Sequence, residues 1–109
     1  MSMPKKVRVG SLDISIVRVK KKSDKQDTRG EYMADEGLIE IDADLEASNA
    51  RLVFAHELDH AIWHEAGLYE VIKAVKPDEI EEAVVHAHSA GWLDALRRNP
   101  AVAKYLLAP

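Results

Sequence analysis

The 109 residues contain no cysteine. That absence excludes a thiolate-ligated metal site, a thiol nucleophile and a disulfide framework, and it suits a reducing compartment. Also missing is any apolar run approaching the roughly 18 residues of a membrane-spanning helix. Met1-Ser2-Met3-Pro4-Lys5-Lys6 begins basic, but the apolar stretch of a secretory signal does not follow it. These absences lead to the expectation of a soluble, cytoplasmic protein with no membrane partner. There is no internal repeat and no low-complexity tract. A hydrophobic content of 47% with 31% charged residues is that of an ordinary globular domain. The length suffices for one domain, 1–109, with its own core.

Charge is distributed unevenly. The net charge of −4 combines +6 over residues 1–29 with −10 over residues 30–109. Lys20, Lys21, Lys22, Lys25 and Arg29 form a basic cluster that could meet nucleic acid. The cluster lacks the interleaved aromatic residues that single-strand binding uses, and a solvated hairpin end is the favoured reading.

Hydrophobic periodicity divides the chain. From Val7 to Val19 apolar and polar residues alternate with period two, broken at Gly10-Ser11. This predicts two short strands, about 6–9 and 12–20, joined by a tight turn. Lys21 to Gly30 is polar and reads as a loop. Glu31–Ala34 and Gly37–Asp42 are two further strands around a turn at Asp35-Glu36-Gly37. From Ser48 onward the period becomes helical. A first helix is capped by Ser48 or Asn49 and closed by Gly67, and a short one follows over Tyr69–Lys76. A third starts near 79, with Asp78 as N-cap and Glu81 as its capping-box partner, and Pro100 stops it. Ala101–Leu107 adds one or two turns. The predicted fold class is α+β: a small antiparallel or mixed sheet of three to four strands (1–47) packed on a helical half (48–109).

Within the first long helix stands His56-Glu57-Leu58-Asp59-His60, an HExxH sequence. Four residues advance a helix by about one turn, so His56 and His60 project from one face. Two imidazoles so spaced can share a tetrahedral Zn²⁺, with Glu57 beside them as general base of a metal-activated water. Shuffled chains of this composition would contain the pattern in roughly 2% of cases, the false-positive risk of any short motif. The helical context lowers that risk, because Leu52, Val53, Phe54, Leu58, Ile62 and Trp63 supply apolar surface to bury the segment.

A catalytic zinc needs a third protein ligand. The metzincin pattern HExxHxxGxxH fails, since its Gly position is Trp63 and its last His position is Ala66. Peptide deformylases share HExDH, but their third ligand is a cysteine. The remaining common solution is a carboxylate on a later helix, and Glu79, Glu81 and Glu82 are available. With Asp78 as cap, Glu81 turns back toward it and Glu82 is left to face the first helix. Glu82 is therefore the preferred ligand and Glu81 the alternative.

Gly30-Glu31-Tyr32, Ile39-Glu40-Ile41, HExxH, the downstream Glu81-Glu82-Ala83 and Leu93 to Pro100 together resemble the ImmA/IrrE-type minimal gluzincin metallopeptidases. The similarity is greatest to small phage- and prophage-associated members, and it spans about residues 30–107. It implies one Zn²⁺ per chain held by His56, His60 and Glu82, with Glu57 as general base and a protein or peptide as substrate. Where those proteins have Gly before the second His, this chain has Asp59.

Asp59 is a candidate to orient a ligand imidazole. His86, His88, Tyr32 and His64 are candidates for stabilising an oxyanion. Glu31–Ala34 is a candidate edge strand for an extended peptide. Two other function classes stay open at this point: a zinc-binding structural or regulatory module without turnover, and a nucleic-acid-binding protein using the basic N-terminal hairpin.

Overall fold

The computed structural model describes residues 2–20 and 29–109. The predicted loop over 21–30, and with it Lys21, Lys22 and Lys25 of the basic cluster, lies largely outside the described residues. The chain begins with a hairpin of β1 (Lys6–Val9) and β2 (Leu12–Val19), in which Val9 pairs with Leu12. Gly10 opens the two-residue turn with φ +58°, a left-handed backbone that glycine adopts without the usual side-chain clash. β3 (Gly30–Met33) runs through a 3-10 turn at Ala34–Glu36 into β4 (Leu38–Asp42), with Gly37 at φ +59° making the reversal.

The sheet order is β1-β2-β4-β3, with β2 and β4 parallel and the other pairs antiparallel. Its inner face carries Val7, Val9, Ile14, Ile16, Ile39 and Ile41, all buried, alternating with more exposed neighbours. A single apolar face of this kind has to be covered, and the helical half covers it.

The covering layer comprises α1 (Ala47–Glu65), α2 (Leu68–Ala74), α3 (Ile80–Arg98) and α4 (Pro100–Leu107). α1 buries Ala50, Phe54, Leu58, Ala61 and Ile62, spaced by three and four residues along one face. Phe54 meets Tyr105 of α4 edge-on, ring centroids 5.2 Å apart. Each fully buried aliphatic or aromatic side chain contributes about 1.5–3 kcal/mol, so this stripe fixes the rotation of α1 over the sheet.

Several sequence expectations are corrected. α1 begins at Ala47 after Glu46, one to two residues before the predicted cap. Ser48 lies inside its first turn, with its hydroxyl on the Glu46 carboxylate. Leu52 is 69% exposed and does not bury the helix. Asp78 sits within a 3-10 turn at Pro77–Glu79, so α3 follows Glu79 and no side-chain cap forms. Pro100, whose ring suits the first helical position, opens α4 directly after Asn99. Among the described residues, no helix is long and apolar enough to cross a membrane.

Candidate metal centre

The apolar stripe of α1 is interrupted by Glu57, 7% exposed and the one buried charged side chain among the described residues. Burial pushes its carboxyl pKa up from the ordinary value, the dominant influence. The His56 and His60 imidazoles and the Tyr32 backbone N–H pull it back, while Glu31 raises it. A carboxyl whose ionisation is opposed by burial in this way holds a proton more readily than an exposed one.

One residue before Glu57 and three after it, His56 and His60 emerge from buried surroundings onto an exposed face. Their Nε2 atoms lie 3.2 Å apart and their rings meet edge-on with centroids 4.8 Å apart. Two nitrogens bound tetrahedrally to one zinc at 2.0–2.1 Å are separated by about 3.3 Å. The pair therefore fits two corners of a zinc site. Among the described residues no third His, Asp or Glu gathers with them into a metal-holding group, so neither Glu82 nor Glu81 completes a triad in this conformation.

The packing of α3 on α1 nevertheless orients the two glutamates. Nε2 of His88 meets Oδ1 of Asp59, and the Trp92 indole N–H donates to the same oxygen at 2.8 Å. One turn on, Gly91 lies so close to α1 that a Cβ there would fall 2.7 Å from the Ile62 side chain. His88, Gly91, Trp92 and the buried Ala95 thus define the stripe of α3 that faces α1. Stepping back from His88 by four and then three residues leads through Val84 to Glu81. Glu82 lies about a third of a turn away from that stripe. With no capping box to occupy it, Glu81 is the better oriented of the two.

The other sequence candidates scatter. Asp59 spends its carboxylate on His88 and Trp92, bracing α3 rather than a ligand imidazole. His86 is exposed and lies nearly opposite His88 around α3. His64 is exposed, one turn beyond His60, its ring edge-on to Tyr32 at 6.1 Å. The Tyr32 hydroxyl is buried without a hydrogen-bond partner among the described residues, and burial, with Glu65 adding to it, raises its pKa. His88 is the residue whose role the sequence hides. Its spacing to Trp92, i to i+4, puts two polar ring nitrogens on one helix face, which is the available signal.

β3 ends the sheet and runs beside α1. Asp42 N–H donates to Arg29 O and Glu31 sits opposite Glu40, so alternation turns the backbone groups of Gly30 and Tyr32 outward. The outward N–H of Tyr32 is the one that favours the Glu57 anion. Close approach here requires Gly30, where a Cβ would lie 2.5 Å from Val53 and 3.1 Å from the Glu57 side chain. The histidine pair, the buried acid and the β3 edge therefore lie together. Compared with known proteins, the chain matches no protein-family model, no curated protein and no solved structure.

Proposed function

We propose that this chain is a zinc-dependent metallopeptidase, the activity implied by its resemblance to the minimal gluzincins. The observation that carries the reading is the convergence of His56 and His60 Nε2, 3.2 Å apart, beside the buried Glu57. In this reading His56 and His60 hold Zn²⁺ together with a carboxylate from the start of α3, Glu81 in preference to Glu82. Zn²⁺, when bound, supplies Lewis acidity to a water and to the scissile carbonyl.

Glu57 takes the proton of the attacking water, and burial in the α1 stripe retains that proton until the leaving amine accepts it. The Tyr32 N–H holds the carboxylate in orientation at the strand edge. Gly30 and the Tyr32 carbonyl offer outward backbone groups to an extended peptide, which would lie along the sheet edge. Asp59, through His88 and Trp92, fixes the approach of α3 and hence of its first-turn glutamates.

The test compares zinc-loaded wild type with Glu57→Gln on a mixed peptide substrate pool, read by mass spectrometry. The substitution is expected to retain zinc and to lower cleavage by about 10²–10⁴-fold, the usual worth of a general base. Wild type that cleaves no better than Glu57→Gln would leave a zinc-binding module without turnover.

A further inference from the structure

On the opposite side of α1 from His56, an open cavity of about 780 Å³ lies between β2, the N-terminal segment, the first turns of α1, and α4. Ala47 and Arg51, on its wall, are nine and five residues before His56, which turns them roughly half-way around the helix. The lining is mainly apolar, with Met3, Ile16, Ala50 and Tyr105 on it, and its size is that of a small-molecule pocket. Its charge is one-sided. Lys5, Arg18 and Arg51 all line it, with no Asp or Glu among the described residues that do.

Among the described residues these three cations have no carboxylate partner. Arg18 is held by backbone carbonyls, donating through Nε and Nη2 to Asp42 and through Nη2 to Ala43 and Leu45, at 3.1–3.3 Å. These bonds fix its position and leave its charge uncompensated. Arg51 lies over the Tyr105 ring at 5.6 Å, and its buried Nε has no hydrogen-bond partner among the described residues. Burial raises the Tyr105 pKa, and Arg51 and Arg18 oppose that rise, as two cations converging on the phenol would. Three cations without a carboxylate partner among the described residues, set around a mainly apolar cavity, mark a place for an anionic acceptor.

We infer that this cavity binds an amphipathic carboxylate of the acyl-chain type, its apolar tail against Ile16, Ala50 and Tyr105 and its head between Arg51, Arg18 and Lys5. An apolar wall with a fixed cationic end selects such a molecule over a neutral or cationic amphiphile of the same length. The site is separate from the histidine pair and does not rest on the metal reading.

The test is amide NMR of the ¹⁵N-labelled full chain titrated with dodecanoate below its micellar concentration, with dodecanol and dodecyltrimethylammonium as controls. Saturable shifts confined to Ile16–Arg18, Ala47–Arg51 and the neighbourhood of Tyr105 are expected with dodecanoate. Affinity should be about tenfold weaker for dodecanol and for the Arg51→Gln variant, the usual worth of one charge-assisted contact. Lys5→Gln, on an exposed side chain, should weaken binding in the same direction without threatening the fold. Dodecanoate that leaves these amides unmoved, that binds no tighter than dodecanol, or that is indifferent to both substitutions would overturn the proposal.

Discussion

Burying a carboxyl group in an apolar helix stripe opposes ionisation, and Glu57 shows the consequence as a raised pKa. The sign follows from linkage. An acid whose folded pKa lies above its unfolded value contributes most to stability when protonated, and that contribution is lost as pH rises through the folded pKa. In metal-free protein, Glu57→Gln replaces the acid by a neutral isostere. The variant is expected to gain stability relative to wild type as pH rises from about 4.5 toward neutrality, read by urea denaturation across that range. A difference that stays constant with pH would show that the Glu57 carboxyl is not perturbed. At this scale the sequence was informative where chemistry depends on local spacing. His56, Glu57 and His60 are brought together by one helical turn, which the pentapeptide itself encodes. The function of Asp59 was hidden because its partners His88 and Trp92 lie 29 and 33 residues away on another helix.

Element boundaries set which glutamate lies on the side of α3 that packs on α1. The sequence supports a capping box at Asp78 and Glu81, and that inference favours Glu82. Pro77 instead nucleates a 3-10 turn that absorbs Asp78, and α3 begins without a side-chain cap. The orientation of α3 is then set by tertiary contacts, the Asp59 bridge and the close approach at Gly91, which local propensity does not contain. Glu81 falls on the α1-facing stripe. Glu81→Ala is expected to weaken zinc affinity by about 10²-fold or more, and Glu82→Ala by less than about tenfold, measured by competition with a chelating dye. The reverse ranking would restore the assignment read from sequence. Strands and helices themselves were legible because period-two and helical patterns are strong in this chain. The starts of α1 and α3 were not, because each helix begins without the side-chain cap that a sequence signal describes.

Among the described residues, a side-chain clamp closes one edge of the sheet and α1 runs beside the other. β1 is closed by Asn99, which accepts from Arg8 N–H and donates to Arg8 O, both at 2.8 Å, and donates also to Ala95 O at 2.7 Å. That clamp ties the end of α3 to the hairpin. Asn99→Ala should cost about 1–3 kcal/mol in denaturant unfolding, since it removes three hydrogen bonds with a net worth of about 0.5–1.5 kcal/mol each. A loss within about 0.5 kcal/mol, as for an ordinary surface substitution, would show the clamp to be dispensable. The α+β class and the sheet-then-helix division were readable from the change in periodicity near Ser48. The parallel pairing of β2 with β4, which places β3 at the end of the sheet beside α1, was not, because strand order arises from how the helical layer covers the sheet. The proposed function requires α1 to present a two-histidine metal site. Its most direct test is the zinc content of purified, zinc-exposed protein, with wild type beside His56→Ala and His60→Ala. About one zinc per chain is expected in wild type and near none in either variant. Wild type that binds no zinc, or variants that bind as much as wild type, would contradict it.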